Sequence, residues 1–500
     1  MAGYDVVVVG GGSAGCVLAA RLSEDPDRSV CLIEAGPDYG PYAEGRWPDD
    51  LLNAHEIAVV SHDWGIEGGR PSWRARVLGG CSAHNGCFIS WGPPADYDEW
   101  AQAGNPGWSH ADLDPYRRRC EQTIRARPSR MEDLEPLQRA GLEGATELGL
   151  PLLEDFDDPQ AIEGAALIKV NAVGAVRWNA AFAYLDPARA RPNLTIMADT
   201  LVDRLHLERS RAKGVLVRQD GREVEVAADL VVMAAGAYGS PAVLLRSGLG
   251  PAEELAAVSI EARAELPGVG RNLSDHPVLD IRLRPSASLL AATAALYAAG
   301  PARAQSVIRA KSRHGAVDRS DLHLVLGVFE SDPDQPPFTS GERLPDIFVC
   351  ALKPESRGRV TIRSADPQAL PVVEHGFLTD RDGHDLSVLV DGVRLARRLA
   401  GTKALSGLCE GELAPGPDLD DGELQAYVRR WVRGYWHPVG TCRMGPASDA
   451  DAVVDRDGCV HGFANLFVAD ASVMPTIPRA NTHLPVLAVT ERIAEGLRCR

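Results

Sequence analysis

Residues 4–38, YDVVVVGGGSAGCVLAARLSEDPDRSVCLIEAGPD, carry the pattern that decides the fold. An apolar run at 6–9 turns through Gly10-x-Gly12-x-x-Gly15 and continues at helical spacing through Val17, Leu18 and Leu22. After Pro26 the run 30–33 reads as a second strand and ends on Glu34, nineteen residues beyond Gly15. Each part has a physical job. Gly10 permits a tight turn, Gly12 lets backbone approach a pyrophosphate, and Gly15 lets the helix pack close to the strand. The helix N-terminus, at Ser13 and Ala14, offers free N–H groups and a positive dipole end to phosphate. Glu34, followed by Ala35, is placed to accept hydrogen bonds from an adenosine ribose, and its charge disfavours a 2′-phosphate. A glycine turn kept for packing alone explains the first two glycines but not the acid. The segment therefore reads as strand, turn, helix and strand of a Rossmann-like dinucleotide fold.

Two distant segments extend the same sheet. DLVVMAAGAYGSPAVLLRSGLGP (229–251) reads as a buried strand at 230–233, a turn through Ala235 and Gly236, and a helix from Pro241 to Gly248. ANLFVADASVMPTIPRANTHLPVLAVTERIAEGL (464–497) reads as a strand ending at Asp470 and Ala471, with a closing helix from Thr482. A nucleotide fold built from the first, middle and last parts of a chain wraps a large ligand. That suits an extended FAD better than an NAD that comes and goes.

Five hundred residues is about three times a typical domain, which allows one large core or interleaved lobes. A formal charge of -17 with no local Lys/Arg cluster argues against nucleic acid and anionic lipid, and leaves small molecules as partners. No run of about 18 uncharged apolar residues supports a membrane span. The ten cysteines, from Cys16 to Cys499, show neither a disulfide framework nor zinc spacing. With no leader ahead of the first strand, the expectation is a cytoplasmic, metal-free protein. No internal repeat is present, and the proline-rich piece at 332–345 reads as a loop.

The blocks RARVLGGCSAHNG (74–86), AAGAYGSPAVLLRSGLGP (234–251), PGVGRNLSDHP (267–277), WHPVGTCRMG (436–445) and VADASVMP followed by NTHLP (468–485) together resemble the glucose-methanol-choline (GMC) oxidoreductase family, in order and over most of the chain. That resemblance implies FAD, an α/β FAD-binding domain of Rossmann-like, glutathione-reductase type, and an α+β substrate domain on an antiparallel sheet. The expected division is 1–283 (interleaved) for FAD, 284–436 for substrate, and 437–500 returning to the FAD domain. Beside Gly10, Gly12, Ser13, Ala14, Gly15, Glu34 and Ala35, it implies cofactor contacts from Gly79, Gly80, Ser82, Asn85, Gly86, Cys87, Val202, Ala235, Gly236, Asp470, Ala471 and Thr482, Val202 through its backbone beside the adenine. GGCSAHNGC most resembles the choline-oxidase branch, in which the histidine at the position of His84 is bonded to the flavin 8α-methyl carbon. FAD covalently held by His84 is the expectation, against the commoner reading of a buried structural histidine.

Alcohol oxidation needs a hydroxyl proton removed while hydride leaves the carbinol carbon. An imidazole is suited to take that proton near neutral pH. By the resemblance His437 is the base and His483 the partner that orients the alcohol oxygen.

From about 282 to 436 the pattern changes: RSDLHLVLGVF (319–329) and GRVTIRS (358–364) alternate as antiparallel strands, and GHDLSVLVDGVRLARRLA (383–400) reads as an amphipathic helix. Trp47, His323, Phe329, Tyr435 and Trp436 are candidates for the substrate pocket. Residues 125–163 read as a solvated surface or a lid. The segment 286–307 contains no acid, which disfavours choline. Tyr435 replaces a small branched residue two before the catalytic histidine, so a quinone-like carrier competes with O2 as acceptor. The expectation is a monomer or homodimer that oxidises a primary alcohol to the aldehyde, with onward oxidation to the acid also open. A tailoring enzyme for a larger sugar or natural product, and a non-redox cyanohydrin lyase, are the alternatives.

Overall fold

The computed structural model describes residues 3–57, 61–65, 73–219, 222–330 and 343–499. The four-valine run lies in strand Tyr4–Val9, which pairs in parallel with Val30–Ile33 on one side and Arg222–Met233 on the other. Leu194–Met197 extends the sheet beyond Val30–Ile33, and Leu466–Val468 extends it beyond Arg222–Met233. Both faces of these strands are covered, so they read as continuous apolar runs rather than alternating ones. Helices Ser13–Leu22 and His483–Arg498 pack against each other on one face. The sheet is thus assembled from the start, middle and end of the chain, as the spacing of the motifs predicts.

Strand Arg222–Met233 is long enough to serve two partners. Its first half pairs antiparallel with Arg211–Gln219, and Leu201–Glu208 completes that meander. The helix after it spans Gly236–Arg246, five residues earlier than the reading that started it at Pro241.

The second sheet is antiparallel, in the order Cys409–Ala414, Pro277–Pro285, Arg343–Ala351, Leu322–Glu330, Ser306–Ala310 and Gly164–Leu167, with Arg433–Gly434 also on Pro277–Pro285. Alternation sorts its side chains. Leu322, Leu324, Leu326 and Val328 join the core beneath helices Pro136–Glu147 and His384–Ala400. Val325, Phe348 and Phe329 fall in a cluster on the opposite face with Val278, Val307 and Tyr435.

The sheet draws on residues outside 284–436: strand Pro277–Pro285 begins before residue 284, strand Gly164–Leu167 lies at its far edge, and helix Pro136–Glu147 packs on it. The helix buries Leu137, Ala140, Leu142 and Ala145, so most of that part of 125–163 is core rather than solvated surface or lid. Arg359–Thr361 pairs with Val372–Glu374 in a separate ribbon rather than in the large sheet. Of the loop read at 332–345, residues 332–342 lie outside the described residues. Among the described residues no disulfide forms, no group of side chains is placed to hold a metal ion, and no helix is long and apolar enough to cross a membrane.

Candidate active site

The two sheets meet over a cavity of about 900 Å³ lined from both lobes. On the side of the parallel sheet it begins at the fingerprint. Gly10 has φ +100°, and a Cβ there would lie 2.7 Å from Ala234 O; a Cβ on Gly15 would lie 1.8 Å from Gly10 O. Those two glycines bring helix and strands together. Gly12 differs, because its added Cβ would meet nothing closer than Gly80 Cα at 3.9 Å, and it faces the cavity. Helices Ser13–Leu22, Gly236–Arg246 and His483–Arg498 all begin at this wall, each without a side-chain cap. Three positive dipole ends converge there, although Gly236 N of the second helix is already given to Asp470, and such ends favour phosphate oxygens.

Glu34 is buried at the tip of its strand, where its carboxylate accepts from Gly11 N (2.7 Å) and Gly36 N (2.8 Å). Burial pushes it up to about 7 against those hydrogen bonds. It therefore ties the fingerprint loop to the second strand as well as lining the cavity. Asp470 does the same on the third segment, accepting from Gly236 N (2.9 Å) and Ser240 Oγ (2.6 Å).

Of the expected cofactor residues, Ser13, Ala14, Ala35, Gly80, Ser82, His84, Asn85, Gly86, Val202, Ala235, Gly236, Asp470, Ala471 and Thr482 also line the cavity. Gly15, Gly79 and Cys87 do not. Gly79, at φ +91°, precedes the 3-10 turn Gly80–Ala83 that presents His84. Cys87, at φ +65°, turns into a small cluster with Ala54, Val170 and Ala172. These three shape the wall without forming it.

His483 sits at the first position of the last helix and lines the cavity. Its Nδ1 lies 3.4 Å from Ser13 Oγ, and its Nε2 is buried with no partner among the described residues. Desolvation lowers it to about 4, so a neutral ring faces the fingerprint helix. The cavity volume, the converging helix N-termini, the open Gly12 and this orphaned nitrogen all fit FAD.

The expected pairing of His437 with His483 is corrected by the geometry. The side chain that meets His437 is Asn481, whose Nδ2 is 3.2 Å from His437 Nε2. Ser90 fixes that amide: its hydroxyl accepts from Asn481 N (2.9 Å) and donates to Asn481 Oδ1 (3.3 Å). Nδ2 is thereby turned toward the imidazole.

The protonation of His437 follows from its other neighbours. His276 Nε2 lies 3.1 Å from Pro478 O, and a carbonyl only accepts, so that nitrogen carries hydrogen. Burial holds His276 down to about 3, which leaves its Nδ1 bare. His437 Nδ1, 3.0 Å away, must then be the donor. Burial, together with repulsion from His276, holds His437 well below the usual histidine range as well. The result is a neutral imidazole whose Nε2 lone pair faces the cavity and accepts from Asn481. Backbone position is secured by Asp275, which accepts from His437 N at 2.8 Å and is itself pushed up to about 7 by burial.

Tyr435, Trp436 and Phe329 line the cavity: Tyr435 packs edge-on to His437 at 4.6 Å, Trp436 stacks on Trp73 at 4.2 Å, and Phe329 stacks on Phe348 at 4.6 Å. Trp47 and His323 do not. Trp47 donates to Gly40 O and packs on Phe182 in the FAD-side core, and His323 is buried against Phe156. Asn481 and His276 were missed by sequence reasoning although both stand in quoted motifs. Residue type drew the reading to His483, two places along.

The GMC oxidoreductase family models match residues 4–278 and 354–490. Choline oxidase of Arthrobacter globiformis is 32% identical over 525 aligned positions, covering 99% of this chain and 94% of that enzyme. 5-(Hydroxymethyl)furfural oxidase of Methylovorus sp. (strain MP688) is 35% identical over 548, covering 99% and 98%. Among solved structures, pyridoxine 4-oxidase from Mesorbium loti superposes with a TM-score of 0.85 at 30% identity over 99% of both chains. The chain belongs to the GMC oxidoreductase family, and it is an FAD-dependent enzyme acting on CH–OH donors.

Proposed function

We propose that the protein oxidises a primary alcohol to the aldehyde, with His437 as the base and Asn481 as the group that orients the alcohol oxygen. When bound, FAD supplies the two-electron acceptor. The chain supplies the rest. The unprotonated Nε2 of His437 exchanges its hydrogen bond from Asn481 Nδ2 for the hydroxyl proton, and the resulting imidazolium has His276 Nδ1 to receive its Nδ1–H. Asn481 Nδ2 donates to the alkoxide oxygen as charge develops there. Tyr435 and Trp436 close the chamber with aromatic surface and keep water from the reacting carbon. His483, Ser13 and Glu34 hold the cofactor, the role that the buried, unpartnered Nε2 of His483 supports. His84 is proposed as the covalent attachment to the 8α-methyl carbon. The single observation that carries the reading is the relay from Pro478 O through His276 to His437, which leaves Nε2 free to accept.

The acceptor and the extent of oxidation are proposed as O2 or a quinone-like carrier, with the aldehyde as product. The test is anaerobic mixing with a panel of primary alcohols while the flavin band is followed, then readmission of air. Bleaching by an alcohol and recovery in air is the expected result, and flavin that stays with the acid-precipitated chain checks the tether. A His437→Ala protein that bleaches at the wild-type rate would overturn the base.

A further inference from the structure

The chamber wall opposite the fingerprint carries four arginines, Arg282, Arg303, Arg343 and Arg433. Three of them have carboxylate partners. Arg433 pairs with Asp280 at 2.7 Å, Arg282 lies 3.3 Å from Asp346 and 3.7 Å from Asp280, and Arg343 is 3.7 Å from Glu56. Arg303 has none among the described residues. Its Nε and Nη2 point at Gly86 O, both at 3.4 Å, and Nη2 also meets Gln305 Oε1 at 3.1 Å. Its plane sits over the Phe88 ring with 5.4 Å to the centroid. Among the described residues no acceptor meets Nη1.

Arg303 is only 6% exposed. A guanidinium does not shed its charge in proteins, and burying one against neutral carbonyls alone is costly. Asp280 and Asp346 are taken by Arg433 and Arg282, and Glu135, another acid of the lining, is engaged by the Tyr297 hydroxyl and by Val328 N at 3.2 Å. Arg303, Tyr435 and His437 all line the cavity, and the Tyr435 ring packs on His437, so the guanidinium and the base share one chamber.

Resting on the oxidation proposed above, we propose that Arg303 is an anion subsite and that the substrate is an alcohol carrying a carboxylate at its far end, held by Nη1 while the carbinol faces His437 Nε2. With Nε and Nη2 turned to Gly86 and Gln305, Nη1 is left to make a charge-assisted hydrogen bond to a carboxylate oxygen, and the aromatic lining of the chamber suits an aryl or furan spacer.

The holoenzyme is compared on 4-(hydroxymethyl)benzoate, benzyl alcohol and choline by anaerobic flavin bleaching and kcat/KM. The expected result is a kcat/KM about 10- to 100-fold higher for the carboxylate than for benzyl alcohol, expressed mainly in KM, with choline poorest. Benzoate, which cannot be oxidised, should perturb the flavin spectrum saturably. Arg303→Gln should reduce the carboxylate-to-benzyl ratio at least tenfold and Arg303→Lys should restore part of it. Equal turnover of the two aryl alcohols by wild type, or preference for choline, would overturn the subsite while leaving alcohol oxidation in place. Bleaching by none of the three, with dithionite reducing the flavin, would remove both.

Discussion

His437 and His483 are both histidines in motif blocks, and only their surroundings separate them. One has a donor to its Nδ1 side excluded by Pro478 and His276, and an amide at Nε2; the other has a serine hydroxyl and an unpartnered nitrogen facing the fingerprint helix. Residue type was legible in the sequence, but the tautomer and the partner depend on contacts spanning 161 and 44 residues. The variants should therefore diverge. Asn481→Ala is expected to slow anaerobic flavin reduction by about 10- to 100-fold with normal flavin content, since it removes a hydrogen bond to a charged oxygen. His483→Ala should lower flavin per chain and leave the loaded fraction within about threefold of wild type. The reverse pattern would return the catalytic role to His483. The pH dependence has a definite sign. A base whose pKa lies far below 6.5 is already unprotonated there, and its activity is lost only as pH falls through the lowered value. The limiting reduction rate should stay level from about pH 8 to about pH 5.5, and a limb centred near 6.5 would contradict the buried, neutral His437.

At the scale of elements, apolar runs and glycine spacing gave the strands and the first helix because they are local properties. Helix Gly236–Arg246 was misplaced for a local reason of its own. Proline usually opens a helix, but Pro241 lies inside this one, and the carbonyl it leaves without an N–H partner, Ala237 O, accepts from the Thr441 hydroxyl at 2.6 Å. A residue two hundred positions away makes the proline tolerable, which no window of sequence reveals. The fingerprint helix is the opposite case, set by contacts within a few residues. Gly15→Ala puts a methyl 1.8 Å from Gly10 O, and neither backbone segment has a flexible end to give way. The helix must lift from the sheet, at a cost of about 1–3 kcal/mol from overpacking. The expected outcome is a lower unfolding midpoint together with loss of flavin, measured by thermal melts and absorbance. Gly12→Ala, open to the cavity, should lose flavin with little change in the melt of the flavin-free protein.

At the scale of the molecule, the chamber exists only if the lobes hold register, and one buried carboxylate joins them. Asp96, fully buried in helix Pro94–Gln102, accepts from Arg479 N at 2.6 Å, pairs with the Arg479 guanidinium, and lies 3.4 Å from Lys353 Nζ. Lys353 follows the end of antiparallel strand Arg343–Ala351 and also donates to Thr476 Oγ1 and Ile477 O. Arg479 stands between Pro478, whose carbonyl accepts a hydrogen bond from His276 Nε2, and the stretch leading to Asn481. The acid thus fixes both ends of the relay from a point on neither sheet. Its role was illegible in the sequence, where Asp96 is one acid of a surface-like helix with Asp98 and Glu99. Asp96→Asn keeps the shape and removes the charge, leaving the Arg479 guanidinium beside a buried amide while Lys353 keeps Glu99 at 2.9 Å. Breaking one partner from such a cluster costs about 3–5 kcal/mol. The unfolding midpoint in urea should fall accordingly. The reduction rate should fall with it, because Pro478 and Asn481 shift together and His437 loses both its tautomer lock and its amide. A variant that is destabilised yet reduces flavin at the wild-type rate would show that the relay is held by the parallel sheet alone.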